Sequence, residues 1–155
     1  MLALVLALGA SACGRNIGDE CAVNVDCATD GTRQCIDATS GKNGYCTIEG
    51  CDATSCPEES TCVRFYPVEF ATRSCDPAAE VAGGLSGCQP SEHCTSDALC
   101  VPRANERRFC MKTCESGGDC REGLECRQTG FGGAERVPTE QDRKPDTIRF
   151  CFFKG

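Results

Sequence analysis

The stretch CQPSEHCTSDALCVPRANERRFC, residues 88–110, decides how this chain is read. Its four cysteines are separated by two gaps of five residues and then one of nine. Gaps that short, filled with Pro, Ser, Thr and Asp, favour turns and carry too little apolar surface to make a core of their own. The cysteines are therefore the ordering element. The last gap reads as a β-hairpin, because β-branched and aromatic residues in ALCVP and RRFCMK flank the turn RANE.

Working outward, the same pattern recurs. Cys21, Cys27, Cys35 and Cys46 have gaps of 5, 7 and 10 residues, and Cys51, Cys56, Cys62 and Cys75 have gaps of 4, 5 and 12. Cys114, Cys120, Cys126 and Cys151 have gaps of 5, 5 and 24. Two short gaps followed by a longer one, four times over, is the signature of a repeat. The fold class expected is small and disulfide-rich: four tandem four-cysteine units, each a short β-hairpin plus loops, with little regular helix. The units are bounded at 21–50, 51–75, 88–110 and 111–155. Residues 76–87, DPAAEVAGGLSG, read as a linker rich in Pro, Ala and Gly.

Seventeen of the 155 residues are cysteine and none is tryptophan. That cysteine content exceeds the roughly 8–10% that marks a disulfide scaffold, and beyond residue 13 no long periodic helix or continuous apolar run supplies a conventional core. If the third and fourth cysteines of a unit sit on paired strands, the first two can each staple one strand to the preceding loop. The expected pairs are Cys21–Cys35, Cys27–Cys46, Cys51–Cys62, Cys56–Cys75, Cys88–Cys100, Cys94–Cys110, Cys114–Cys126 and Cys120–Cys151. Four cysteines permit three pairings, so spacing alone leaves the others open.

The spacing C-x5-C-x5-C-x9–13-C resembles the first four cysteines of the N-terminal cysteine-rich region of Dickkopf proteins. It also resembles repeats in bacterial cysteine-rich lipoproteins. The adjacent Cys-Cys pair of Dickkopf domains is missing, so Wnt-receptor binding is not carried over. The lipoprotein resemblance implies an envelope location and no particular activity.

The start of the chain fits that second resemblance. Leu2–Ala10 is an apolar run of signal-peptide length, too short to span a bilayer. Residues 1–12 are expected as a signal peptide, and Ala10-Ser11-Ala12-Cys13 resembles a lipobox. Cys13 is the cysteine left over from the four units, and lipidation accounts for both its position and the odd count. Residues 13–20 then form a lipid-anchored tether of at most about 25 Å. Ala10 stands where Leu, Val or Ile is usual in a lipobox, so ordinary cleavage and secretion is the alternative. The localisation expected is the bacterial cell envelope, lipid-anchored in the outer membrane, with secretion as the alternative.

The formal charge is −7, with residues 13–62 at −6, 63–100 at −3 and 101–155 at +2. Such a balance excludes nucleic acid, which needs concentrated positive charge. The cluster Arg103, Arg107, Arg108 and Lys112 reads as a solvated hairpin tip. His93 is the only histidine and is read as solvent-facing. No C-x2-C, G-x-S-x-G or H-E-x-x-H is present. Neither a metal nor a cofactor is expected; Asp19, Glu20, Asp26 and Asp30 lack the spacing of a calcium loop.

Residues 127–149 fill the longest gap, and a loop of that length is functional or disordered. Within it Phe131, Arg136, Arg143 and Lys144 are the candidate partner-binding residues. The expected function is an exported, lipid-anchored envelope protein with a structural or binding role and no catalysis. Its partners are the membrane, through N-terminal acyl chains, and an unknown protein or glycan. A secreted protease inhibitor or ligand-binding module is the alternative.

Overall fold

The computed structural model describes residues 14–37, 43–139 and 147–155. In chain order the elements are β1 (Glu20–Cys21), α1 (Asn24–Cys27), β2 (Gln34–Ile36), β3 (Gly44–Thr47), β4 (Ser60–Phe65) and β5 (Arg73–Ser74). There follow α2 (Pro77–Val81), β6 (Glu92–Cys94), β7 (Leu99–Pro102), β8 (Arg107–Lys112), β9 (Leu124–Gln128), β10 (Ala134–Arg136) and β11 (Arg149–Phe153). The strands form four small antiparallel sheets, ordered β1-β3-β2, β10-β4-β8, β5-β7-β6 and β11-β9. The fold is thus small, strand-rich and held by eight disulfides.

Each sheet places two cysteines directly opposite one another: Cys35 and Cys46, Cys62 and Cys110, Cys94 and Cys100, Cys126 and Cys151. No such pair is bonded to itself. Each member is stapled instead to a cysteine of the preceding loop, giving Cys21–Cys35 with Cys27–Cys46, Cys51–Cys62 with Cys56–Cys110, Cys75–Cys94 with Cys88–Cys100, and Cys114–Cys126 with Cys120–Cys151. In all four sets the first cysteine bonds the third and the second bonds the fourth.

Two of the bonds differ from those the cysteine spacing suggests. Cys56 pairs with Cys110, not Cys75, and Cys94 pairs with Cys75, not Cys110. The third set, running from Cys75 to Cys100, is nested inside the second, between β4 and β8. The boundaries 51–75 and 88–110 fall accordingly. The segment 76–87 is no linker between modules: it lies within the loop closed by Cys75–Cys94 and carries α2, whose first turn is capped by the Asp76 carboxylate accepting from Ala78 N–H at 2.9 Å. Residues 103–106 are not a hairpin turn either, because β7 pairs with β5 and β6 while β8 pairs with β4.

One local hydrogen bond recurs in all four sets. After the second cysteine of each set, the carbonyl one residue on accepts from the N–H four residues on. The pairs are Ala28 with Gly31 (3.4 Å), Pro57 with Ser60 (2.9 Å), Gln89 with Glu92 (2.9 Å) and Arg121 with Leu124 (3.1 Å). The same turn also follows Cys94, where the Thr95 carbonyl accepts from the Ala98 N–H at 2.9 Å. Before the second cysteine, Asp26, Ser55 and Asp119 accept from the N–H groups of Ala22, Asp52 and Glu115 at 2.8–2.9 Å. In the nested set the equivalent loop has lengthened to admit α2.

The sets do not stand apart. Ile17, Tyr45, Val63, Met111, Leu124, Phe150 and four cysteines belong to one buried cluster, so the first, second and fourth sets share a core. Phe65 packs on Phe109, Phe150 and Phe152 with ring centroids 6.1, 5.9 and 5.5 Å apart. The expected tether is part of this body as far as it is described. Arg15 N–H donates to the Cys27 carbonyl and Gly18 N–H to the Cys46 carbonyl, both at 2.9 Å, and Ile17 is fully buried.

Candidate functional site

Every disulfide lies within a set, so the nested set is attached to its host by its chain connections and by non-covalent contacts. One such attachment is a largely buried ionic cluster. Arg64 on β4, Glu135 on β10, His93 on β6 and Glu80 on α2 meet at the junction. Glu135, only 3% exposed, accepts from Arg64 Nη2 at 2.7 Å and Nε at 3.1 Å through Oε2. The same oxygen lies 2.9 Å from His93 Nε2, while Oε1 accepts from the Ser96 N–H at 2.6 Å and its hydroxyl at 2.9 Å. His93 Nδ1 lies 3.3 Å from Glu80, which also takes Arg103 at 2.6 Å and the Ser86 hydroxyl at 2.7 Å. The imidazole stacks on Tyr66 with centroids 4.8 Å apart.

His93 is therefore buried, not solvent-facing as the sequence suggested. Burial by itself would raise the Glu135 carboxyl, but the His93 hydrogen bond and the charges of Arg64 and His93 outweigh it and hold the group down to about 2. Burial likewise pushes the Tyr66 phenol up, reinforced by its hydrogen bond to the Glu106 carboxylate. The order of groups bears on chemistry. A nucleophilic relay places imidazole between hydroxyl and carboxylate; here the Glu135 carboxylate lies between Ser96 and His93. The arrangement locks segments together.

Beside this lock lies a groove of about 560 Å³. Pro77, Ala78 and Val81 of α2 line it with Gln128–Phe131, Arg136, Thr147, Ser96 and Glu135. Both oxygens of Glu135 are already engaged inside the protein, so what the groove offers a partner is chiefly apolar surface. Phe131 projects at its rim, 68% exposed. Its placement is fixed by a two-residue turn: Ala134 N–H donates to the Phe131 carbonyl at 3.2 Å, and Gly132 and Gly133 have φ of 60° and 72°. Gly133 admits no side chain, because a Cβ there would lie 2.1 Å from the Tyr66 carbonyl oxygen.

Of the four candidate partner-binding residues, Phe131 and Arg136 line this groove together, while Arg143 and Lys144 lie outside the described residues, as does Cys13. The gap 127–149 is not one long loop, since it carries β10, the edge strand beside β4. The basic cluster is largely neutralised: Arg103 pairs with Glu80, Arg107 with Glu49 and Arg108 with Glu106. Asp19, Asp26 and Asp30 accept local backbone N–H groups. Sulfur atoms crowd together where two disulfides adjoin, but all sixteen are oxidised and offer no thiolate to a metal.

The ionic cluster escapes sequence reading because its members are scattered. Arg64, Glu80, His93 and Glu135 meet only through the nesting, and PSEHC on its own looks like any polar loop.

No family model matches the chain, and comparison with curated proteins and with solved structures finds no match.

Proposed function

We propose that this chain is exported to the oxidising cell envelope, anchored in the outer membrane through acyl groups on Cys13, and acts there as a rigid binding module without catalysis. The observation that carries the reading is the completeness of the pairing. All sixteen other cysteines are consumed in eight bonds, which leaves Cys13 with no cysteine partner in its own chain, directly after an apolar run of signal-peptide length. Disulfides at this density belong in an oxidising compartment. Among the described residues no helix is long and apolar enough to cross a membrane, so attachment in this reading rests on the N-terminal residue. Several acyl chains on one cysteine hold a protein far more firmly than the marginal binding of a single chain.

The binding role rests on Phe131. A large aromatic ring held out to solvent by a glycine turn contributes nothing to the core, and rigid display lowers the entropy cost of engaging a partner. The groove beside it suits a protein segment carrying an apolar side chain. The alternative of a protease inhibitor fits less well, because two left-handed glycines directly after Phe131 curl the chain away from the extended form a protease cleft accepts.

Intact-mass spectrometry of protein extracted from membranes tests the proposal. The expected species begins at Cys13, carries acyl mass, and has no free thiol. A mature form beginning at Cys13 without acyl mass, found in the soluble fraction, would reject the anchor.

A further inference from the structure

The start of the described chain is held against the first disulfide set. Arg15 N–H is bonded to the Cys27 carbonyl at 2.9 Å, and a Cβ on Gly14 would lie 3.3 Å from that same oxygen. Cys13 is two residues from this fixed point, so its Cα lies within about 7.6 Å of that of Arg15. The polar layer on each face of a bilayer is itself some 5–7 Å deep. A protein anchored at Cys13 therefore cannot stand clear of the headgroups.

We infer that the first disulfide set, centred on α1, rests against the phospholipid headgroups, with Val23 and Val25 dipping into the interface. This rests on the anchoring proposed above. Cys27, which fixes the start of the chain, is also the last residue of α1, a helix only about 6 Å long. Val23 precedes this helix and Val25 lies within it, and they are 55% and 65% exposed. Two valines so open to solvent bury little of their surface among the described residues, whereas the interface takes apolar side chains readily. Arg33 donates to the Arg15 carbonyl and Arg15 to the Glu20 carbonyl. Neither makes an ion pair among the described residues, unlike Arg64, Arg103, Arg107, Arg108 and Arg127. The charge of Arg15 acts on Asp26 and that of Arg33 on Asp30, so the apposition rests on the short tether and the two valines.

The chain lacks tryptophan, so one introduced indole reports depth without background. The full acylated protein is placed in vesicles of phosphatidylethanolamine and phosphatidylglycerol with brominated acyl chains, as V25W and as L85W, Leu85 being fully exposed on the nested set. The V25W emission is expected to be quenched several-fold more than that of L85W. Hydrogen exchange on the unmutated sequence gives a second reading. The amides of residues 22–32 are expected to exchange several-fold more slowly in the vesicle-bound protein than in soluble C13S. Equal quenching, or equal exchange where V25W does not fold, overturns the apposition when acyl mass is present on Cys13. Absence of that mass removes the anchor and the apposition with it.

Discussion

Cys62 and Cys110 face each other across β4 and β8, yet each is bonded elsewhere, Cys62 to Cys51 and Cys110 to Cys56. Between them the chain leaves the sheet, builds a complete set with its own two bonds, and returns in register. A cross-strand pair that is stapled outward at both ends is the same device in all four sheets. It lets one pair of strands accept an entire inserted unit without losing either staple.

The two bonds that define the nesting should differ in worth. Cys56–Cys110 spans 54 residues and Cys75–Cys94 spans 19. In the chain-entropy account these correspond to about 4 and about 3 kcal/mol. Urea unfolding of the C56S/C110S and C75S/C94S proteins should show the larger loss for the first, because it also releases the host sheet from its insertion.

Acid should loosen the junction. The Glu135 carboxyl is held below its ordinary value, so the stability it contributes is present above about pH 5 and is lost as pH falls toward 2. A shift of this size corresponds to roughly 3 kcal/mol. E135Q should lose the pH dependence. It should also be less stable near neutrality by about 3–5 kcal/mol, because the buried Arg64 guanidinium is left without its counter-charge. Urea midpoints between pH 2 and pH 7 check both.

The two glycines of the Phe131 turn make a controlled comparison. Gly132 has nothing within 4 Å of its would-be Cβ, so G132A should cost only the left-handed penalty of about 1–2 kcal/mol. G133A meets the Tyr66 carbonyl and should cost clearly more, separating β10 from β4. Exchange rates of the Tyr66 and Val137 amides, which bond across that strand pair, are the local readout.

Phe131 and Phe150 should respond in opposite ways. F150A empties a fully packed site and should cost about 3–5 kcal/mol. F131A should leave stability within about 0.5 kcal/mol, as for other exposed positions. A large loss from F131A in urea unfolding would make Phe131 a structural residue and remove the argument for a binding face.

Much of the fold was legible because cysteine spacing is a covalent constraint. The first-to-third and second-to-fourth pairing follows from strands that place their cysteines opposite each other, and β2–β3 and β9–β11 are the hairpins that spacing suggests. What spacing does not carry is insertion. Cys88, Cys94, Cys100 and Cys110 fit the two-short-one-long template better than Cys75, Cys88, Cys94 and Cys100, so residues 88–110 look like a unit although Cys110 belongs to the host. The shared core was underestimated for a related reason. Its aromatic residues, Phe65, Phe109, Phe150 and Phe152, sit singly on short strands and converge only in three dimensions. At the candidate site, Phe131 was legible as an aromatic among glycines, whereas His93 and Glu135 were not, since their partners come from other sets.

Peptide mapping under non-reducing conditions tests the nested framework most directly. Proteolysis of the unreduced protein should yield one disulfide-linked species joining the Cys56 and Cys110 peptides, and another joining Cys75 and Cys94. Recovery of Cys56 with Cys75, and of Cys94 with Cys110, would contradict the nesting and restore four units in tandem.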